Sequence, residues 1–260
     1  MAGEFDFSGK TALITGAASG IGAATARWLD AHGIAELVLV DLDRPALSAL
    51  GLSCKVTPFG GNVGDPALWN LLSREIGRLD HAVINAGVPG PGKAIVDLDI
   101  TDWRKTMAVN LDGTFLALRC AMRNMSRPGA GDVRGGSIVL TGSVSGLRGT
   151  SPIDYGASKA AIAHMARIAG HEGAPQGIRV NAIAPGGVDT PIWDGMNTIR
   201  QESERLGSRA AALEEMAHAT VPLARFATAD EIASQIGFLL SNMAALITGT
   251  VLVSDGGYSI

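Results

Sequence analysis

Short apolar runs alternate with longer amphipathic stretches from one end of the chain to the other. Seven of these runs are predicted strands: TALIT (11–15), ELVLVD (36–41), KVTPFG (55–60), HAVINA (81–86), SIVLTG (137–142), IRVNAIAP (178–185) and TVLVSD (250–255). Helical patterns separate most of them, which is typical of βαβ units. We therefore predict an α/β fold with a doubly wound parallel sheet covered by helices on both faces.

Composition changes this picture little. Hydrophobic residues make up 47% and charged residues 18% of the 260 residues, which is the balance of a globular protein. No Pro/Ser-rich linker, low-complexity tract or repeat divides the chain, and the Gly/Pro-rich segment at 87–93 is too short to separate two domains. We expect a single domain over residues 1–260.

Charge and apolar-run length exclude several function classes. The net charge is −4 and the basic residues are scattered, so neither nucleic acid nor an anionic membrane is an expected partner. The start MAGEFDFSGK lacks the apolar core of a signal peptide, and no apolar run approaches the ~20 residues of a membrane-spanning helix. We expect a soluble cytoplasmic protein.

Cysteine and histidine spacing argues against a disulfide framework or a metal site. Cys54 and Cys120 are the two cysteines, and we expect reduced, buried thiols. The five histidines form no two-ligand motif. His164 and His171 share a predicted helix at a spacing that can put both on one face, but we expect no metal.

A glycine-rich turn follows the first predicted strand. The sequence TGAASGIG places Gly16, Gly20 and Gly22 ahead of a helical stretch. Glycines let backbone N–H groups approach a pyrophosphate at a helix N-terminus, where the helix dipole favours negative charge. Turns are rich in glycine for structural reasons too, but the position between strand and helix favours phosphate binding.

The second predicted strand ends in an acidic residue, Asp41, about twenty residues further on. A carboxylate there can accept both ribose hydroxyls of an adenosine and would repel a 2′-phosphate, which favours NAD over NADP. The segment DLDRPAL also resembles a helix start capped by Asp43, and Arg44 could meet a 2′-phosphate.

One of the two tyrosines, Tyr155, precedes Lys159 by four positions in the predicted helix DYGASKAA. Residues four apart project from the same helix face, so both side chains can lean over one site. A neighbouring ammonium stabilises a phenolate, and we expect it to lower the tyrosine pKa from its usual ~10. Taken alone, the pair reads more readily as a surface tyrosine beside a solvated lysine.

Seven motifs in a fixed order change that interpretation. They are TGAASGIG, NAG (85–87), Asn110 in MAVNLDGTF, Ser143 in LTGSVSG, YGASK, NAIAPGGVDTPI and ITGTVLVSDGG. Together they resemble the short-chain dehydrogenase/reductase family, in its compact branch of about 250 residues, over nearly the whole chain. The resemblance implies a Rossmann-type fold.

The resemblance also implies a catalytic tetrad. Tyr155 would be the general acid/base, and Ser143 would hold the substrate oxygen by a hydrogen bond. Lys159 would bind the nicotinamide ribose, and the main-chain carbonyl of Asn110 would hold a water leading from Lys159 toward solvent. Their structural alternatives are a strand-end serine and a solvated or capping amide.

Cofactor contacts are implied in the same way, and the cofactor is expected to be NAD. The residues are Gly16, Ser19, Gly20, Ile21 and Gly22 at the pyrophosphate, Asp41 at the ribose, Asn62 and Val63 at adenine, Asn85, Ala86 and Gly87 at the adenosine side, Tyr155 and Lys159 at the nicotinamide ribose, and Pro185, Gly186, Val188 and Thr190 at the nicotinamide. Two positions depart from the family pattern. Asn62 replaces the usual aspartate, and Ile84 replaces the first of two asparagines.

The substrate pocket implied by the resemblance is mostly apolar. Its residues are Ser143, Val144, Leu147, Tyr155, Ile192 and Trp193. Apolar walls with few polar anchors suit a small or medium, largely hydrophobic secondary alcohol or ketone. Arg148 could recruit a carboxylate, although a solvated arginine is the favoured reading.

Two further expectations concern motion and assembly. Residues 190–220 resemble the mobile substrate lid of the family, or alternatively an ordinary solvated helix pair. The apolar C-terminal stretch and two long helices resemble the surfaces through which this family forms homotetramers. The expected function is the NAD(H)-dependent interconversion of a secondary alcohol and a ketone by hydride transfer. The alternatives are an NADPH-dependent ketoreductase and a non-catalytic nucleotide-sensing protein.

Overall fold

A computed structural model describes residues 5–126, 135–149, 151–194 and 196–260. The strands β1 (Thr11–Thr15), β2 (Glu36–Asp41), β3 (Lys55–Gly60), β4 (His81–Ile84), β5 (Gly136–Thr141), β6 (Ile178–Pro185) and β9 (Val251–Ser254) form one sheet. All seven are parallel, and their order across the sheet is β3-β2-β1-β4-β5-β6-β9. A separate parallel pair joins β7 (Val188–Asp189) and β8 (Ala227–Thr228). The predicted fold class is confirmed.

Helices cover both faces of the sheet. They are α1 (Gly20–Ala31), α2 (Arg44–Ser48), α3 (Pro66–Glu75), α4 (Ile100–Met107), α5 (Gly113–Met125), α6 (Ile153–Gly173), α7 (Asn197–Leu206), α8 (Arg209–Thr220) and α9 (Ala229–Leu240). A π-helical turn, Ala108–Asp112, joins α4 to α5. Within the described ranges, no helix combines the length and the apolar character needed to cross a membrane.

Each buried strand feeds two apolar layers because successive side chains point to opposite faces. On β1, Leu13 joins the cluster that packs under α3, α5 and α6, whereas Ile14 joins the cluster under α1 and α9. This is why the strands read as continuous apolar runs rather than as alternating ones. Burial of each such side chain contributes about 2 kcal/mol.

The strand order reverses next to β1, which lies between β2 and β4. In an open parallel sheet, ligands bind in the crevice at the carboxyl ends of the strands, at this point of reversal. The carboxyl ends carry Thr15, Asp41, Ile84, Thr141 and Pro185. The fold therefore brings most of the predicted site residues to one edge.

Candidate active site

The turn after β1 has the shape of a phosphate cradle. Gly16 has a φ of +64°, and a Cβ there would lie 2.9 Å from the Ala86 Cα. A Cβ on Gly22 would lie 2.0 Å from the Gly16 carbonyl oxygen. Both positions require glycine, and the turn leads directly into α1, whose first-turn N–H groups face the crevice. The arrangement fits a pyrophosphate.

Side chains from β1 and the end of β4 fix this cradle. The Asn85 amide nitrogen donates to the carbonyl oxygens of Gly16, at 3.2 Å, and Thr15, at 3.3 Å. The Thr15 hydroxyl oxygen accepts from the backbone N–H groups of Asn85, at 2.9 Å, and Ala86, at 3.1 Å. The sequence interpretation missed Thr15, whose only signal is its place at a strand end. Asn85, predicted at the adenosine side, has its amide bonded to the glycine turn.

Asp41 lies at the end of β2, beside the glycine-rich turn. Its Oδ2 atom accepts from the Ala18 N–H group at 3.0 Å, and its Oδ1 atom accepts from the Asp43 N–H group at 3.1 Å. Asp43 caps α2 through the Ala46 N–H group, at 3.1 Å. Asp43 is therefore the cap of α2, and Asp41, the residue predicted at the ribose, is a separate carboxylate. Arg44 is exposed, and its side chain packs beside Gly60.

The two residues predicted at adenine form hydrogen bonds with residues close to them in the chain. Val63 is buried against Gly113, and its carbonyl oxygen accepts the Trp69 indole N–H at 2.7 Å. Asn62 is exposed, and its Oδ1 atom accepts from the Gly64 N–H group at 2.9 Å. The amide that replaces the family's aspartate therefore closes a turn with its oxygen, which leaves its NH2 group facing outward.

The first two turns of α6 carry Tyr155 and Lys159. Lys159 is 4% exposed, and its Nζ atom donates to the Thr141 carbonyl oxygen at 2.8 Å. The same Nζ atom lies 5.6 Å from the centroid of the Tyr155 ring. Gly87 lies beside it, because a Cβ at that position would be 3.5 Å from the Nζ atom. The predicted shared helix face is observed, with the end of β5 as an anchor.

Ser143 serves as both a local cap and a partner of the tyrosine. Its Oγ atom accepts from the Ser145 N–H group at 3.1 Å, which caps the short 3₁₀ helix Val144–Gly146. The Ser143 side chain also interacts with the Tyr155 hydroxyl closely enough to oppose the rise of the Tyr155 pKa. A carbonyl or alcohol oxygen placed between these hydroxyls can be held by one and protonated or deprotonated by the other.

Asn110 is fully buried in the π-helical turn rather than solvated or capping. Its amide accepts from the Val88 N–H group at 2.8 Å and donates to the Val88 carbonyl at 3.0 Å and to the Ser158 hydroxyl at 3.1 Å. Its main-chain carbonyl accepts the Thr114 hydroxyl at 2.6 Å. The amide therefore ties the loop after β4 to α6, at Ser158.

The direction of the tyrosine pKa shift corrects the sequence interpretation. Burial raises the pKa of Tyr155, and the Ser143 side chain opposes this only in part. Burial also lowers the pKa of Lys159 to about 8. We expected the ammonium to lower the tyrosine pKa, but the loss of hydration dominates, and the Nζ atom is directed at a carbonyl rather than at the phenol oxygen.

The predicted substrate residues divide into two groups. Val144 is buried, whereas Leu147 and Ile192 present exposed apolar surface. Trp193 stacks on Phe226, with ring centroids 5.5 Å apart, and its indole N–H donates to the Val188 carbonyl at 2.6 Å. No sequence pattern predicts this stack.

The arginine next to the predicted pocket has partners of its own. The Arg148 guanidinium lies 4.7 Å from the centroid of the Tyr258 ring and also bonds to the Tyr258 carbonyl. It is exposed, but it is stacked rather than freely solvated.

The segment after β6 crosses back to the glycine-rich turn. Pro185 ends β6, and Gly186 packs so closely against Asp255 that a Cβ there would lie 2.8 Å from its Cβ. Thr190 is buried, and a Cβ on Gly20 would lie 3.3 Å from both its Cβ and its methyl carbon. The predicted pyrophosphate residues Ser19 and Ile21 adjoin this contact. The segment thus meets the turn that begins α1.

The described residues also contain no group of three or more His, Cys, Asp or Glu side chains placed to hold a metal ion. His164 and His171 both lie on α6. Cys120 is buried and Cys54 is half-buried, and the two are not joined by a disulfide. The polar chemistry is concentrated at the carboxyl ends of the strands.

Several known proteins are similar to this chain in sequence and in fold. A family model described as enoyl-(acyl carrier protein) reductase matches residues 16–259. The chain is 35% identical to cis-4-hydroxycyclohexanecarboxylate dehydrogenase of Sinomonas cyclohexanicum, over 97% of this chain and 98% of that protein. It is 35% identical to D-threitol dehydrogenase of Mycolicibacterium smegmatis, over 99% and 96% of the two chains.

A solved structure agrees with these sequence matches. L-sorbose reductase from Gluconobacter frateurii, complexed with NADPH and L-sorbose, has a TM-score of 0.88 and 27% identity, covering 98% of each chain. The family resemblance indicated by the seven motifs is therefore confirmed. The chain belongs to the short-chain dehydrogenase/reductase family of oxidoreductases.

Proposed function

We propose that the protein is an NAD(H)-dependent oxidoreductase that interconverts a secondary alcohol and a ketone. One observation carries the proposal: the paired hydroxyls of Tyr155 and Ser143 lie beside the Lys159 ammonium, at the strand edge that also bears the glycine-rich cradle. A reacting oxygen and a dinucleotide would meet at this edge.

The nicotinamide cofactor, when bound, supplies the hydride chemistry. The residues that would hold it are those predicted from the family motifs. The cradle of Gly16, Gly20 and Gly22 would bind the pyrophosphate, and Asp41 the adenosine ribose. Lys159 would bind the nicotinamide ribose, and the segment from Pro185 to Thr190 would orient the ring.

The proton chemistry falls to Tyr155. A buried phenol whose pKa is raised stays protonated at neutral pH, so it is ready to donate its proton to a ketone oxygen held by Ser143. Lys159, with a pKa of about 8, carries its positive charge at neutral pH and stabilises the phenolate that remains. In the reverse direction, the phenolate takes the proton of the alcohol.

The carboxylate of Asp41 supports NAD rather than NADP. Its two hydrogen bonds from Ala18 and Asp43 hold a negative charge where a 2′-phosphate would have to sit. One structural relative is an NADPH complex, and the exposed Arg44 keeps NADPH as the alternative. We expect Asp41→Ala to improve the use of NADPH relative to NADH. An unchanged preference in kcat/KM for the two cofactors would contradict this assignment.

The substrate is proposed to be a small or medium, largely apolar secondary alcohol. Leu147 and Ile192 supply exposed apolar surface, and Val144, which follows Ser143 directly, is buried. One relative is named for a hydroxylated cyclohexanecarboxylate and another for the polyol threitol. Hydroxylated six-membered rings therefore head the list of compounds to test, with polyols as the polar comparison.

The test follows NADH absorbance over a panel of cyclohexanols, acyclic secondary alcohols and polyols, with Tyr155→Phe as the control. We expect turnover of the apolar members, reduced about 10²- to 10⁴-fold in the variant. Equal rates for Tyr155→Phe and the native protein would rule out the proposed mechanism. Turnover of the polar members alone would rule out the apolar pocket.

Two structural features support the proposed lid and homotetramer. α7 and α8 occupy the predicted lid, of which Gly195 lies outside the described residues. Apolar side chains are exposed on α5 (Phe115), on α6 (Ile168) and beside the edge strand β9 (Leu246, which is 98% exposed). Light scattering at micromolar concentration tests the assembly, and a monomer mass would refute it.

A further inference from the structure

The segment from Val188 to Asp194 is held in place from several sides. Thr190 packs on Gly20 of the phosphate cradle, and Trp193 is fixed by its stack on Phe226. The outer side of the same segment carries two carboxylates, Asp189 and Asp194, which are more than half exposed. Neither was singled out by the sequence motifs.

Both carboxylates meet one guanidinium. Arg209, the first residue of α8, donates from Nε to Asp194 Oδ1 at 2.7 Å and from Nη1 to Asp189 Oδ1 at 2.6 Å. Its Nη2 atom donates to the Thr190 carbonyl oxygen at 2.9 Å. The rigid fork of an arginine can bind several acceptors at once, and charge-assisted bonds are the stronger ones.

A neighbouring arginine provides the contrast. Arg205, near the end of α7, is bound by Glu202 and Glu215, at 2.7 and 2.8 Å. These contacts connect α7 to α8 and do not reach the cofactor segment. Both arginines therefore bind two carboxylates at the surface, but Arg209 also bonds the backbone of Thr190 and so joins α8 to the segment from Val188 to Asp194.

We propose that Arg209 is a positioning residue, which holds the segment from Asp189 to Asp194 against the phosphate cradle and so sets the affinity for the dinucleotide. The inference rests on the proposed nicotinamide function. Its physical basis is that Thr190 closes on Gly20 only while its backbone keeps its position, and Arg209 bonds that backbone directly. Loss of the fork should free the segment without touching the hydroxyl pair.

The experiment measures the dissociation constant for NADH by fluorescence, together with kcat and the cofactor KM, in Arg209→Ala, Arg209→Lys and Arg205→Ala. We expect Arg209→Ala to weaken NADH binding about tenfold and to change kcat at saturation less than about twofold. Arg209→Lys should regain part of the affinity. Arg205→Ala should bind NADH like the native protein.

A second series guards against a general loss of folding. Asp194→Asn removes the negative charge of one partner but keeps an acceptor oxygen and the arginine, so it should weaken NADH binding by a smaller factor. In the Arg209→Ala background, the same change should have no further effect, because its partner is already gone.

Unchanged NADH affinity in Arg209→Ala, or equal weakening in Arg205→Ala, would overturn the inference. A full additional loss from Asp194→Asn in the Arg209→Ala background would do so too. Native protein that binds neither NADH nor NADPH would instead overturn the proposed function. The two failures are therefore distinguishable.

Discussion

The proposed catalytic corner, made of Asn110, Ser143, Tyr155 and Lys159, and the facing segment, Val188 to Asp194, are built from different interactions. In the corner, Asn110 and Lys159 are buried and bonded mainly to backbone groups. In the facing segment, Asp189 and Asp194 hold Arg209 at the surface, where water and salt compete. The corner is preorganised, because water cannot readily replace the hydrogen bonds of its buried groups. The contacts of the facing segment are exposed to water and can open and close.

This difference has a functional logic. Proton transfer needs Tyr155 and Ser143 in fixed positions, since small misplacements of reacting groups cost large factors in rate. A dinucleotide must enter and leave in each cycle, so the segment over it gains from individually modest contacts. Buried amides suit the first requirement and exposed ion pairs suit the second.

The largest expected effect comes from removing a buried amide in the corner. Asn110→Ala should lower the free energy of unfolding by about 1–3 kcal/mol, because it removes a fully buried amide and leaves the part-buried N–H and C=O groups of Val88 without that partner. Activity should fall with it, since the same amide positions Ser158 on α6. Urea unfolding measures the loss of stability.

The exposed Asn62 is a matched control, because its amide closes one local turn with Gly64. Asn62→Ala should cost well under 1 kcal/mol. Similar losses from the two substitutions would erase the contrast between buried and exposed parts of the site.

The sequence predicts those parts of the site that a local sequence pattern marks, and it does not predict the rest. The strands and the glycine-rich cradle follow from local patterns, because burial on both faces dictates apolar runs and a close approach dictates glycine. The predicted strand at 81–86 nevertheless ends at Ile84, because Asn85 turns to bond Thr15 and Gly16.

Other features have no local pattern. The anchor of Lys159 is the Thr141 carbonyl, a backbone group that every residue carries. The upward shift of the Tyr155 pKa comes from burial by distant segments. The surface fork of Arg209 joins residues fifteen to twenty positions apart, with no spacing rule to mark it. Such contacts follow from the assembled fold alone.

A pH profile probes the corner at an intermediate size of effect. The pKa of Lys159 is about 8, so ketone reduction should decline above that pH, approaching about tenfold per pH unit, as the ammonium loses its proton. Burial lowers this pKa from 10.5, so the unfolded chain holds the proton more tightly, and this group should make folding more favourable as the pH rises from about 8 to 10.5.

Lys159→Met is the control for the pH dependence of ketone reduction and for the pH dependence of stability. It should lose most activity and also the lysine contribution to the pH dependence of stability, measured by urea unfolding at pH 7 and pH 10. A decline in ketone reduction centred well below pH 7 would contradict the role given to the buried ammonium.

The smallest expected effect lies on the exposed side. Arg205→Ala removes ion pairs to Glu202 and Glu215, all three side chains being more than 40% exposed, so the stability loss should be barely measurable. Raising the salt concentration should shrink even this difference, because exposed pairs are screened over about 10 Å at 0.1 M salt. Thermal unfolding at low and high salt measures it. A loss as large as that of Asn110→Ala, and independent of salt, would mean that α7 and α8 are held together as firmly as the buried groups around Asn110, and the contrast between buried and exposed contacts would then fail.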